Sequence, residues 1–189
     1  MGAITFVTGG ARSGKSNFAE SIAANSGEPV VYLATMEPAD DELRTRIRRH
    51  RERRPTAWRT LEVPVAVPAA IEAVDSAATV LLDCLSLWVS NLFFSALPVD
   101  DAPTSAWEDL VDFCLSSVDR LVAAQDDRAG HLIVVSNEVG MGIVPGDPLS
   151  RWYRDALGLA NQRLASDARR AVLMISGRAM ELGPSLPFS

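Results

Sequence analysis

One short segment near the start of the chain combines glycines, a lysine and a serine at a spacing that suits phosphate chemistry. The pattern G-x-x-x-x-G-K-[ST] is matched by Gly9, Gly14, Lys15 and Ser16. Glycines let backbone N–H groups approach phosphate oxygens, lysine adds a mobile positive charge, and a serine hydroxyl can coordinate Mg²⁺. Lys15 is the only lysine in the chain. We predict a phosphate-binding loop here; the alternative is a glycine-rich turn that merely precedes a helix.

A carboxylate closes the apolar run 80–82, at Asp83. Enzymes with a phosphate loop need such a carboxylate to hold Mg²⁺ or its waters, although an aspartate also ends strands for turn reasons alone. Ligands of parallel sheets bind at the carboxyl ends of the strands. The other residues expected at that edge are Thr35, Met36, Asn137, Glu138, Ser176 and Gly177.

Residues 44–54 hold seven arginines among eleven positions and enclose His50, one of two histidines. Most charge runs are solvated helix faces, but a run of one sign repels itself, and a polyanionic partner would explain it. On a helix, Arg46 and Arg54 would lie one turn either side of His50. Positive neighbours disfavour the imidazolium, so we expect a neutral, nucleophilic His50 suited to a covalent phosphorus–nitrogen intermediate. The other histidine, His131, is interpreted as structural.

Apolar runs that alternate with helical patterns provide the framework for these residues. Strands are predicted at 4–8, 30–34, 79–84, 132–136 and 171–176, and their near-continuous apolar character is typical of parallel strands buried on both faces. Helices are predicted at 17–24, 107–122 and 151–168, the second capped by Thr104 or Ser105 with Glu108 completing a capping box. The pattern favours one α/β domain over residues 1–189, with a mostly parallel sheet and helices on both faces.

The composition excludes several classes of protein. A net charge of −6 and a pI near 4.9 argue against general affinity for nucleic acid. We expect no membrane span, since no apolar stretch approaches the roughly 20 residues that one needs, and no signal peptide. Cys84 and Cys114 are expected to be reduced core residues. A cytoplasmic enzyme is the resulting expectation.

Taken together, the motifs resemble the bifunctional adenosylcobinamide kinase / adenosylcobinamide-phosphate guanylyltransferase family of cobalamin biosynthesis. The resemblance covers nearly the whole chain. It is carried by TGGARSGKS (8–16), YLAT (32–35), the arginine–histidine segment, WRTLE (58–62), NEVGMGIVP (137–145) and NQRLA (161–165). The segments 58–62 and 137–145 are far more specific to this family than the phosphate loop.

This resemblance implies a RecA-like P-loop NTPase fold, a homotrimer and two reactions. ATP or GTP phosphorylates adenosylcobinamide, and GMP then passes from GTP to adenosylcobinamide-phosphate through a guanylylated His50. Lys15 is the second catalytic residue, and Mg²⁺, held by Ser16 and Asp83, is the implied cofactor. The implied nucleotide contacts are Gly9, Gly10, Ala11, Arg12, Ser13, Gly14, Lys15, Ser16, Ala34, Thr35, Met36, Arg51, Glu52, Arg53, Arg54, Glu62 and Asp83.

Other interpretations of the sequence stay open at this stage. A small-molecule kinase without nucleotidyltransferase activity would use the phosphate loop but leave His50 without a role. A nucleotide-dependent switch could use the basic segment to grip an acidic partner. Asp83 and Glu138 are both candidates for the general base of phosphorylation, and Gly140 and Gly142 flank either a flexible loop or a lid over the acceptor.

Overall fold

The computed structural model describes residues 2–36, 51–52, 54–98 and 102–184. Within them, one sheet of seven strands has the order β3-β2-β4-β5-β1-β6-β7. The strands are β1 (Ile4–Gly9), β2 (Val30–Ala34), β3 (Arg59–Glu62), β4 (Thr79–Asp83), β5 (Leu132–Val135), β6 (Arg170–Ile175) and β7 (Arg178–Glu181). All neighbouring pairs are parallel except the β6–β7 hairpin at one edge.

Helices cover both faces of the sheet. The described ones are α1 (Lys15–Ala24), α2 (Val67–Glu72), α3 (Leu85–Ser95), α4 (Thr104–Asp126) and α5 (Pro148–Asp167). Successive residues of β4 point to opposite faces: Val80 and Leu82 pack in the cluster that includes Trp88 of α3, and Leu81 packs with Ala19 of α1. Burial on both faces explains why the central strands are apolar throughout.

The five predicted strands are present, each within a residue or so of its expected ends. Two edge strands were not predicted. The two end residues of β3 are exposed and its two middle residues half-buried, and all four residues of β7 are exposed, so neither has the apolar run of a central strand. Helices α2 and α3 were also not predicted; α3 is apolar on most sides, which hides the helical period.

The predicted capping box of the long central helix is wrong. Helix α4 begins at Thr104, the residue before it is Pro103, and no side chain caps it. Thr104 and Ser105 therefore lie inside the first turn rather than at the cap position, which proline occupies with no side-chain acceptor to offer. The next helix, α5, begins at Pro148 rather than residue 151, and the Asp147 side chain accepts a hydrogen bond from the Ser150 amide at 2.7 Å.

Cys84 and Cys114 are both buried free thiols, as predicted. His131 directly precedes β5, and its Nε2 lies 2.8 Å from the Thr5 hydroxyl at the amino edge of the sheet. Among the described residues, no helix is both long and apolar enough to cross a bilayer.

Candidate functional site

The loop between β1 and α1 is folded back on itself around its lysine. The Ser13 amide donates to the Gly10 carbonyl at 3.3 Å, and the Lys15 ammonium donates to the same carbonyl at 2.8 Å. Gly14 has φ of 96° and Arg12 has φ of 56°, both in the left-handed region. Such a conformation directs successive amides inward and forms an anion-binding nest at the start of a helix. The predicted phosphate loop therefore has a suitable backbone.

Neighbouring strands hold this loop on both sides. The Glu138 amide donates to the Gly9 carbonyl at 3.0 Å, and the Gly177 amide at the tip of the β6–β7 hairpin donates to the Ser13 carbonyl at 2.9 Å. A Cβ at Gly9 would lie 2.4 Å from the Met174 carbonyl oxygen, so only glycine fits there. Two buried hydroxyls of the TGGARSGKS segment, those of Thr8 and of the predicted nucleotide contact Ser13, have no partner within the described residues.

Lys15 is 7% exposed, and this burial lowers the pKa of its ammonium group. Asp83 opposes that shift with its negative charge, which places the predicted metal-side carboxylate within electrostatic reach of the predicted phosphate ligand. Burial also raises the pKa of Cys84 to about 11, so its thiol is neutral at pH 7 and Asp83 is the compensating group. Triphosphate oxygens would compensate the buried charge further.

Three predicted residues are aligned across the carboxyl edge of the sheet. Ala34 at the end of β2 pairs with Asp83 on one side and with Glu62 on the other. Glu62 is exposed, whereas Ala34 and Asp83 are half-buried. Parallel pairing in register thus brings side chains that are up to 49 positions apart in sequence to one edge.

The residues after β2 and β4 are joined by a pair of hydrogen bonds. The Thr35 hydroxyl donates to the Cys84 carbonyl at 2.9 Å and accepts from the Cys84 amide at 3.0 Å. The Asn91 side chain of α3 donates to the Thr35 carbonyl at 2.8 Å and to the Pro64 carbonyl at 2.9 Å. Fully buried Thr35 is therefore a bridge between strand ends, a role additional to its predicted nucleotide contact.

Tyr32 is a site residue that the sequence analysis missed. Its hydroxyl donates to Asp83 Oδ2 at 2.6 Å, and the Arg54 guanidinium carbon lies 3.4 Å from the centroid of its ring. Burial, with the negative charge of Asp83, raises the pKa of Tyr32 well above its ordinary value, so the hydroxyl stays protonated. The signal was present in the YLAT motif, but an aromatic residue in an apolar strand is ordinarily a core residue.

A second polar network lies behind the end of β5. Ser136 donates to Asn161 Oδ1 at 2.6 Å, and Asn161 Nδ2 donates to the Asn137 carbonyl at 3.1 Å. The Asn137 amide group donates to the Ser86 hydroxyl at 2.7 Å. These bonds fix residues 136–137 between α3 and α5 and bring the first residues of the segments 137–145 and 161–165 into contact. The loop that follows exposes Met141 and Ile143.

The remaining predicted site residues belong to the arginine segment, and the structure describes only some of them. Arg51 and Glu52 are helical and exposed, and the Arg54 amide donates to the Arg51 carbonyl at 3.2 Å. His50 and Arg53 lie outside the described residues, as does the rest of the arginine segment before Arg51.

A mostly parallel sheet with a phosphate loop after β1 and a carboxylate at the end of β4 defines a P-loop nucleoside-triphosphate-binding protein. One solved structure with this fold is described as a prototypical ATPase from the type III secretion system of pathogenic bacteria. It aligns with 92% of this chain and 51% of its own chain, at a TM-score of 0.51 and 12% identity. The likeness confirms the predicted fold class.

The model of the cobinamide kinase / cobinamide phosphate guanyltransferase family matches residues 5–182, and this chain belongs to that family. It is 40% identical over 177 residues to the bifunctional adenosylcobalamin biosynthesis protein CobP of Pseudomonas aeruginosa, covering 93% of this chain and 95% of the relative. It is 38% identical over 177 residues to the corresponding CobU of Escherichia coli, covering 93% and 97%. The predicted family is confirmed.

Proposed function

We propose that one P-loop domain carries out two successive transfers in cobalamin biosynthesis: phosphorylation of adenosylcobinamide, and guanylylation of the resulting phosphate. The observation that carries this proposal is the family match over residues 5–182, together with a loop whose backbone and buried Lys15 suit a triphosphate. Both reactions require a bound triphosphate, so one phosphate loop can serve both.

In the first reaction, the hydroxyl of adenosylcobinamide attacks the γ-phosphorus of ATP or GTP. The bond from the γ-phosphorus to the β–γ bridging oxygen breaks, and the nucleoside diphosphate leaves while the hydroxyl proton passes to a base or to water. Lys15 and the loop amides stabilise the charge on the phosphate oxygens. The buried position of Lys15 makes that charge more effective than it would be in water.

In the second reaction, the neutral imidazole of His50 attacks the α-phosphorus of GTP and pyrophosphate leaves. A phosphate oxygen of adenosylcobinamide-phosphate then attacks the same phosphorus, the phosphorus–nitrogen bond breaks, and adenosylcobinamide-GDP is released with His50 regenerated. The exposed guanidinium of Arg51, next to His50 in sequence, is available to the triphosphate.

The donor set at the end of β4 suits Mg²⁺. This ion prefers carboxylate and hydroxyl oxygens together with phosphate oxygens. The Asp83 carboxylate and the Ser16 hydroxyl at the start of α1 are such donors, and Tyr32 holds one oxygen of Asp83. Mg²⁺ bound there would neutralise charge on the triphosphate. Ser16 and Asp83 are the proposed protein ligands, and the residues predicted at the loop, at Ala34 to Met36, at Glu62 and at Arg51 to Arg54 are the proposed nucleotide contacts.

The exposed face of the β6–β7 hairpin supports the proposal of a homotrimer. Leu173 pairs with Met180, and Ile175 and Leu182 share their face of the sheet. Ile175, Met180 and Leu182 are 50%, 52% and 41% exposed. A second copy of the chain would cover this apolar surface. Light scattering should give three times the chain mass for the wild type and a smaller species for Met180→Glu.

Labelling with GTP radioactive at the α-phosphate tests the guanylyl intermediate. We expect a protein-bound label that is stable in base and lost in acid, as a phosphorus–nitrogen bond requires. His50→Ala should abolish it while keeping phosphorylation of adenosylcobinamide. The matched control is His131→Gln, which removes the other histidine and should retain the label. A wild-type protein that phosphorylates adenosylcobinamide but never takes the label would be a simple kinase.

A further inference from the structure

Tyr32 connects two predicted site residues that belong to different parts of the chain. It is 1% exposed, in the middle of β2. Its hydroxyl bonds to Asp83 at the end of β4, and its ring face contacts Arg54, the last residue of the arginine–histidine segment. One side chain thus contacts both the predicted metal ligand and the end of the segment that carries the predicted nucleophile.

The sheet register explains how the hydroxyl reaches its partner. Tyr32 pairs with Leu81, and Asp83 lies two residues further along β4, so all three side chains share one face. A tyrosine is long enough to make this diagonal contact, and the bond occupies Asp83 Oδ2. A carboxylate held at one oxygen keeps a defined orientation for the other lone pairs, as metal ligands generally require.

The ring of Tyr32 contacts Arg54, in a different part of the site from Asp83. The Arg54 guanidinium stacks 3.4 Å from the ring centroid, and its Nη1 donates to the Thr60 hydroxyl of β3 at 3.4 Å. Its Nε is buried without a hydrogen-bond partner in the described residues. Arg54 is therefore where the arginine segment attaches to the sheet.

We propose that Tyr32 is a positioning residue for guanylyl transfer, orienting Asp83 through its hydroxyl and anchoring the arginine–histidine segment through its ring. This inference rests on the proposed function. Arg54 follows His50 by four residues, a tether that spans at most about 14 Å. Holding Arg54 therefore fixes the end of the segment to which the proposed nucleophile belongs. The hydroxyl bond serves both reactions, whereas the ring contact serves only the transfer through His50.

Two substitutions separate these contacts. Tyr32→Phe keeps the ring and loses the hydroxyl, and we expect kcat of both reactions to fall roughly fivefold with a higher Mg²⁺ concentration for half-saturation. Tyr32→Leu loses the ring as well. Relative to Tyr32→Phe, its rate of protein guanylylation should fall a further tenfold or so, while adenosylcobinamide phosphorylation stays the same.

Arg54→Lys tests the ring contact without altering the core, because lysine keeps the charge but loses the planar stack. Alone, it should lower the guanylylation kcat about tenfold with little change in the KM for GTP. Combined with Tyr32→Leu, it should have no further effect, since the contact is already lost. If Tyr32→Leu does not fold, Arg54→Lys in the Tyr32→Phe background gives the same comparison.

The results of these experiments test the role of the ring, the role of the hydroxyl and the proposed function separately. Equal guanylylation rates in Tyr32→Phe and Tyr32→Leu, or a raised KM for GTP that persists in the double variant, would overturn the positioning role of the ring and leave Arg54 with its proposed nucleotide contact alone. Wild-type Mg²⁺ dependence in Tyr32→Phe would overturn the role of the hydroxyl. Failure of the proposed function itself is recognised differently, by the absence of a label on the wild-type protein.

Discussion

Two buried cations lie at opposite edges of the sheet, and their hydrogen bonds differ. Lys15, at the carboxyl edge, is 7% exposed, and Arg128, at the amino edge, is 4% exposed. Burial lowers the pKa of both side chains, and one carboxylate opposes the shift in each case, Asp83 for Lys15 and Asp75 for Arg128. The electrostatic cost of burial is thus of the same kind at both edges.

The two side chains differ in how many backbone carbonyls their N–H groups bond. Arg128 donates to the carbonyls of Ile71, Val74 and Ala78 at 2.7–3.1 Å, which ties the end of α2 to the start of β4. Lys15 donates to one carbonyl, that of Gly10, although an ammonium has three protons. Three bonds to backbone carbonyls give Arg128 a role in the fold, whereas a buried ammonium with one such bond, beside a loop shaped as an anion-binding nest, suits an anionic ligand.

The largest effect that this comparison predicts is on catalysis. Lys15→Ala should lower kcat/KM of both reactions by roughly a hundred- to a thousandfold, because charge stabilisation of the phosphates is lost. Its thermal midpoint should stay close to that of the wild type, since removing the buried charge also removes its desolvation cost. Calorimetry and the two assays measure this. Wild-type turnover in the folded variant would mean that the phosphates lie elsewhere.

Arg128→Ala should show the opposite pattern. Three buried carbonyls lose their donor, so we expect a loss of roughly 2–4 kcal/mol in the free energy of unfolding. Turnover per folded molecule at low temperature should change less than twofold. Arg120→Ala, on the helix α4 that precedes Arg128, is the matched control, because its exposed side chain bonds a serine hydroxyl rather than buried carbonyls, and we expect little change. Equal denaturation midpoints for the two variants would contradict the structural role of Arg128.

Replacing each buried cation by the other type, in Arg128→Lys and Lys15→Arg, tests the same comparison with smaller expected effects. Arg128→Lys cannot reach three carbonyls with the same geometry, so we expect a loss of about 1–2 kcal/mol in stability. Lys15→Arg keeps the charge but not the shape, and the packed loop should lower turnover about tenfold or more with stability nearly unchanged. Urea denaturation and both assays measure the exchange. If both variants behaved like the wild type, charge alone would suffice at each edge.

The smallest predicted effect concerns His131, also at the amino edge. Burial, and then the positive charge of Arg170, lower the pKa of this histidine below 6.5. The unfolded chain therefore binds the proton more readily, so its contribution to stability is complete above pH 6.5 and is lost as the pH falls towards the folded pKa. We expect His131→Gln to flatten the stability profile between pH 5 and pH 7. Identical slopes for wild type and variant would show that His131 titrates as in the unfolded chain.

Local patterns in the sequence determined the parts of the protein that depend on local chemistry. The phosphate loop follows from residue types at fixed spacing, and the central strands follow from runs that are apolar because both faces are covered. The same reasoning failed at the edges: β3 and β7 pair on one side only and are largely exposed, so they carry no such run. The capping box at Ser105 and Glu108 failed because the helix begins at Thr104, which places Ser105 inside the first turn and not at the cap position.

Tertiary structure alone decided which polar residues are partners. The Tyr32–Asp83 bond joins residues 51 positions apart, and the Ser136–Asn161 bond joins residues 25 positions apart. These contacts depend on strand order and register, which no local window of sequence contains. Sequence composition could show that Lys15 is the only lysine and Arg128 one of many arginines. Only the packed structure shows that both are buried and that, within the described residues, Arg128 bonds three backbone carbonyls whereas Lys15 bonds one, because burial and hydrogen bonding arise from segments distant in the chain.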